Sequence, residues 1–183
     1  MSSGSPKRER PEKFDHYLNR AKVAAERSSC LRRKVGAVII KNDTEVSSGY
    51  VGSPRGTWDC LKIGSCLRIE LTIPSGQQYE LCRSVHAEQN AIINAARIGV
   101  NILGGEMYIS SEKINAGYDK IRGEKPKIYG PCTICKKEII NAGLIKVHMR
   151  EEGIGTNTYD IDQLKEMLSQ EEEKLRRKHS KSK

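Results

Sequence analysis

The chain has 183 residues, 37% of them hydrophobic and 30% charged, with a formal net charge of +9. That is enough chain and apolar content for one domain with its own core, and it argues against a disordered protein. No apolar run has the length of a membrane span, and residues 1–13 lack the apolar stretch of a signal peptide, so a soluble cytoplasmic protein without membrane contact is expected.

Helical spacing of Phe14, Tyr17, Leu18, Ala21, Ala24 and Ala25 predicts a helix over residues 11–28. Residues 35–40 and 45–50 read as strands joined by a turn at Asn42-Asp43. Residues 51–83 form a long segment punctuated by Gly and Pro, with three cysteines. Ala87, Ala91, Ile92, Ala95 and Ala96 mark a buried helix that begins near His86. A short strand over 106–110 precedes a second long loop, 111–130, which carries Lys120, Arg122, Lys125 and Lys127. A helix over 132–141 ends at Gly143, and a strand over 144–149 follows. The last helix starts after Asp160, with Gln163 placed for a capping box and Ile161, Leu164, Leu168 and Leu175 as its apolar residues. Strands alternating with helices give an α/β sandwich.

The positive charge sits at the two ends. Residues 174–183 hold six basic and no acidic side chains, and residues 1–13 hold four basic and two acidic ones, which leaves +1 for the body. The chain therefore divides into a disordered basic tail at 1–13, a folded domain at 14–173 that includes the C-terminal helix, and a second basic tail at 174–183.

Two motifs carry chemistry: His86-Ala87-Glu88 at one helix start, and Pro131-Cys132-Thr133-Ile134-Cys135 at another. Cysteines three apart on a helix share one face and can grip one ion. A helix N-terminus lowers thiol pKa and favours the thiolates that zinc needs. One imidazole and two thiolates leave a fourth tetrahedral position open, the mark of a catalytic rather than a structural zinc site. Glu88, two residues from His86, is the candidate proton carrier. Taken singly, the motifs also read as a capping histidine and core thiols. The pattern H-x-E followed by P-C-x-x-C is the signature of zinc nucleobase deaminases.

Four stretches extend the likeness: Cys30-Leu-Arg-Arg-Lys-Val-Gly-Ala-Val, Gly49-Tyr-Val-Gly-Ser-Pro, Val85-His-Ala-Glu-Gln-Asn-Ala-Ile and Pro131-Cys-Thr-Ile-Cys. In this order, over residues 14–150, the chain resembles the deoxycytidylate (dCMP) deaminases of the cytidine/deoxycytidylate deaminase family. The resemblance implies a three-layer α/β/α sandwich around a mixed five-stranded sheet. It implies hydrolysis of dCMP to dUMP and ammonia in a homo-oligomer, with Glu88 moving protons to ring nitrogen 3 and to the leaving amine. It further implies substrate contacts at Val51, Ser53, Ala87 and Arg97. Arg97 matches a family arginine near the nucleotide phosphate or the subunit contact. Val51 departs from the family, which has an asparagine there that bonds the sugar.

The resemblance also implies a second, structural zinc. Some dCMP deaminases use cysteines at the positions of Cys30 and Cys60, and Cys66 and Cys82 resemble extra cysteines of a prokaryotic branch. Small buried thiols, or a Cys60–Cys66 disulfide, are the other readings. His148 reads as packed or exposed rather than liganding. The alternative function is cytosine deamination in RNA or single-stranded DNA, which the basic ends favour and the near-neutral body opposes.

Overall fold

A computed structural model describes residues 9–73, 77–114 and 130–180. Helix α1 covers Lys13–Ala25, and strands β1 (Arg33–Lys41) and β2 (Thr44–Tyr50) follow as a hairpin. Its turn places Asn42 and Asp43 at φ 49° and 60°, the left-handed region that these two residue types tolerate. Two one-turn helices, α2 (Cys60–Ile63) and α3 (Leu67–Glu70), and a 3-10 turn at Tyr79–Leu81 occupy the long segment after β2. Then come α4 (Ala87–Arg97), β3 (Glu106–Lys113), α5 (Thr133–Asn141), β4 (Lys146–Glu151), β5 (Gly155–Asp160) and α6 (Ile161–Ser180).

The strands form one mixed sheet in the order β2-β1-β3-β4-β5, with β3 and β4 parallel and the other pairs antiparallel. Strand alternation divides β1 between two cores. Val38 and Ile40 pack with Tyr17, Leu18 and Ala21 of α1. Ala37 and Ile39 face the other way and pack with Ala87, Ala91 and Ala95 of α4, Cys135 and Ile139 of α5, and Leu164 of α6. Two glycines let the helices sit this close. A Cβ on Gly36 would lie 2.1 Å from the Ala21 carbonyl oxygen, and one on Gly49 would lie 2.3 Å from the Ala91 nitrogen. The result is the three-layer α/β/α sandwich expected from the sequence, with five strands.

The fifth strand is absent from the periodicity reading. Its sequence, Gly-Thr-Asn-Thr-Tyr-Asp, is exposed along most of its length and shows no apolar alternation. Ladder pairing to β4 rather than side-chain burial defines it. At the C-terminus α6 continues to Ser180, so the basic residues at 174–177 extend an exposed helical end. Leu175, expected on its apolar face, is exposed. Among the described residues no helix is long and apolar enough to cross a membrane.

Candidate functional site

Helices α4 and α5 begin side by side, and each presents its capping residue. His86 caps α4 and Cys132 caps α5, both in extended backbone at ψ 157° and 165°. Hydrogen bonds to β2 fix where α4 lies. The Ser47 hydroxyl donates to the Ala91 carbonyl at 2.6 Å, and the Asn90 and Asn94 amides donate to the Tyr50 and Ser48 carbonyls at 2.8 and 2.7 Å. The two helix starts are tied through Gln89. Its carbonyl accepts from the His86 backbone N–H at 3.0 Å, and its amide donates to Glu138 of α5 at 2.8 Å.

His86 Nδ1 lies 3.3 Å from both Cys132 Sγ and Cys135 Sγ. Among the described residues this is the group of three or more metal-capable side chains whose ligand atoms gather, all within 4.8 Å of one another. Tetrahedral zinc with ordinary bond lengths separates a sulfur and a nitrogen ligand by about 3.6 Å, so the donor set fits that ion with a small adjustment.

The electrostatics agree with a cation site. The hydrogen bond from Cys135 pulls the Cys132 thiol down to about 4; burial opposes this and His86 reinforces it. Cys135 is pushed up, by its hydrogen bond to Cys132 and by burial. For His86, burial lowers the pKa, but the Cys132 contact and the negative charges around it outweigh that and raise it to about 9. An anionic Cys132 sulfur thus favours positive charge at this point, while the Cys135 thiol is held neutral beside it. Glu88 stands beside it, 6% exposed, its carboxyl pushed up by burial and by Cys132, while His86 and Cys135 pull the other way. A buried acid with a raised pKa beside a metal-ligand set is suited to carrying protons.

Residues 11–151, which include both motifs, match the family described as the cytidine and deoxycytidylate deaminase zinc-binding region. The chain belongs to that family. A deoxycytidylate deaminase of Schizosaccharomyces pombe is 36% identical over 93 residues, 51% of this chain and 29% of that protein. The deoxycytidylate deaminase of Mycobacterium phage D29 is 30% identical over 143 residues, 75% of this chain and 94% of that one. The crystal structure of dCMP deaminase from cyanophage S-TIM5 in complex with dCMP and dUMP superposes with a TM-score of 0.55 at 26% identity, covering 89% of this chain and 94% of that one. The matched part of the chain spans under a third of the length of the fission-yeast relative.

In this zinc-binding deaminase chain the other expected site residues fall in three places. Ala87 is fully buried beside Cys135 in the core. Val51 and Ser53 flank the centre, because Gly52 pairs with Val85, just before His86, through hydrogen bonds of 3.2 and 2.9 Å. Val51 is buried, with its N–H on Val35 and its carbonyl on Ser29; the Ser53 hydroxyl is buried without a hydrogen-bond partner. Arg97 is elsewhere. It ends α4, about 16 Å along the helix axis from His86 at the usual rise. There it lines a groove of about 580 Å³ with Arg55, Asn94 and Ser48.

Cys60 and Cys66 are buried, Cys30 and Cys82 are half-buried, and all four are free thiols, so no Cys60–Cys66 disulfide forms. Burial raises the Cys60 pKa, and Cys66 and Cys30 lie near enough to add to the effect, while Arg83 lowers it. The four sulfurs are not drawn together as His86, Cys132 and Cys135 are. His148 is packed: its nitrogens meet Glu106 and Thr158 at 2.9 Å, and its ring stacks on Tyr108 at 4.3 Å. Lys120, Arg122, Lys125 and Lys127 lie outside the described residues.

Sequence reasoning missed Tyr79. Its ring stands edge-on to the His86 ring at a centroid distance of 5.3 Å, backed by the Arg68 guanidinium at 5.4 Å. A lone tyrosine in a long loop carries no motif that would have flagged it. Gln89 and Glu138 were missed because their role exists only once two helices meet.

Proposed function

We propose that this chain hydrolyses the amino group of a cytosine nucleotide, with dCMP converted to dUMP and ammonia as the favoured reaction. The observation that carries the reading is the gathering of His86, Cys132 and Cys135 at two helix starts with buried Glu88 beside them. These three side chains hold zinc, which supplies a Lewis acid that polarises water. Glu88 accepts a proton from the attacking water and delivers it to ring nitrogen 3. It then takes the remaining proton from the added hydroxyl and gives it to the amine, so that the carbon–nitrogen bond breaks, ammonia leaves and the ring keeps a carbonyl and a protonated nitrogen 3. The backbone around Ala87 and Cys132 orients the base. Tyr79 shields one edge of His86, and Val51 presents an apolar wall toward the sugar.

The 5′-phosphate is part of the proposal. The relatives named deoxycytidylate deaminase support it, and so does the cyanophage complex with dCMP and dUMP. Arg97, at the far end of α4, is suited to a subunit contact within a homo-oligomer rather than to the phosphate of its own chain. A second, structural zinc held by Cys30, Cys60, Cys66 and Cys82 belongs to the same reading. Two buried thiols and the proximity of Cys30 to Cys60 support it.

The test is a panel of cytidine, deoxycytidine, CMP, dCMP, dCTP and a cytosine-containing single-stranded oligonucleotide, with product followed by chromatography. Turnover is expected to be greatest on dCMP, by about ten- to a hundredfold over deoxycytidine if one charge-assisted phosphate contact is made. Equal rates on dCMP and deoxycytidine would remove the phosphate from the account. Turnover confined to the oligonucleotide would replace it with a nucleic-acid substrate.

A further inference from the structure

Helix α6 lies beyond the residues that match the family, which end at 151. Its inner face carries Leu164, Met167 and Leu168, at the i, i+3, i+4 spacing of a buried stripe. Leu164 is fully buried among Cys135 and Ile139. The next position on that stripe is Glu171, where apolar patterning would place a hydrophobic residue. The acid has two partners, both in the first turn of α5. One carboxylate oxygen accepts from the Thr133 hydroxyl at 2.8 Å, and the other accepts from the Lys136 ammonium. Lys136 is 1% exposed, the largest of the fully buried side chains. A buried ammonium requires a held anion, so this pairing fixes the contact between the helices rather than decorating it.

Thr133 and Lys136 each adjoin a cysteine of the centre. Cys132 precedes Thr133, and Cys135 precedes Lys136. The turn that sets the separation of the two sulfurs has its own internal tie, from the Cys135 N–H to the Cys132 Sγ at 3.5 Å. Sulfur is a weak acceptor, so that cap alone holds the turn loosely. Glu171 grips the same turn from outside at both of its ends.

We propose that Glu171 is a positioning residue of the metal centre, bridging Thr133 and Lys136 so that the C-terminal helix fixes the spacing of Cys132 and Cys135. The inference rests on the reading of His86, Cys132 and Cys135 as zinc ligands, and it makes zinc retention depend on a residue that touches neither zinc nor substrate. Outer-shell partners of metal ligands typically change metal affinity by about 10–100-fold.

The experiment uses the full-length protein loaded with zinc. Zinc transfer to a chromophoric chelator is measured for wild type, Glu171→Gln, Glu171→Ala and Thr133→Val, with Glu172→Gln as control. Glu172 is exposed, and its ion-pair partner is Arg176, one turn further along the same helix. Circular dichroism and the melting temperature of the metal-free forms are recorded alongside. Glu171→Gln is expected to stay folded and weaken zinc binding about tenfold or more. Thr133→Val should do so by less, and Glu172→Gln should match wild type. Wild-type zinc affinity in a folded Glu171→Gln, even with a lower melting temperature, would reduce the bridge to a structural staple and overturn the proposal. If Glu171→Ala does not fold, Thr133→Val decides on the same criterion. A wild type that binds no zinc would overturn the metal-centre reading first and this inference with it. Because no substrate enters the assay, a wrong substrate assignment leaves the result interpretable.

Discussion

The six cysteines fall into two groups that the fold treats differently. Cys132 and Cys135 meet His86 because each ligand sits in the first turn of a helix or caps it, and the helices are fixed by core packing and by the Gln89–Glu138 bond. Cys30 lies between α1 and β1, while Cys60, Cys66 and Cys82 lie in the segment between β2 and α4. There the local order is one-turn helices such as α2, held at its start by the Asp59 carboxylate accepting from the Lys62 N–H at 2.9 Å. A single turn has little cooperativity of its own. Core packing and the Gln89–Glu138 bond thus hold the first set together, while Cys30, Cys60, Cys66 and Cys82 lie on segments whose sulfurs are not gathered in the same way. The difference separates a ligand set that the fold gathers from four thiols that it leaves apart.

The sharpest way to break that contrast is to remove one ligand from each group. Cys132→Ser is expected to lose zinc from the first centre and with it essentially all deaminase turnover, because one of three protein ligands is gone. Elemental analysis together with a dCMP assay checks it, and a zinc-retaining, active variant would show that the cluster is not the metal centre. Cys66→Ser is expected to act more mildly. The protein should go from two zinc ions per chain to one, keep most of its activity and melt at a lower temperature, because the free energy of binding the structural ion no longer favours the folded state. One zinc in wild type, with melting unchanged in Cys66→Ser, would leave Cys30, Cys60, Cys66 and Cys82 as ordinary thiols.

The two groups also mark how far the sequence alone was legible. The ligand set could be read because each motif is local, H-x-E at one helix start and P-C-x-x-C at another, and only their meeting had to be supplied by the fold. Strands β1, β3 and β4 could be read because apolar residues cluster in each, and β2 because the Asn42-Asp43 turn implies a hairpin partner for β1. Strand β5 could not, since Gly-Thr-Asn-Thr-Tyr-Asp is polar and gains its order from pairing with β4. Arg97 was legible as a motif residue, but its position was not. Eleven residues of helix carry it from His86 to the opposite end of α4. The least legible residues are those whose function is relational. Glu171 reads as one more charge in an acidic run, and Lys136 as a solvated lysine, until α6 folds across α5, buries the lysine and sets the half-buried glutamate on it.

The most direct test of the central claim is the activity of Glu88→Gln on dCMP, measured with zinc content on the same preparation. The glutamine preserves size but cannot cycle a proton. A folded variant is expected, with one zinc still on His86, Cys132 and Cys135 and dUMP formation reduced by about 10²–10⁴-fold. A variant that keeps its zinc and forms dUMP at close to the wild-type rate would contradict the claim, because another group would then be carrying the proton.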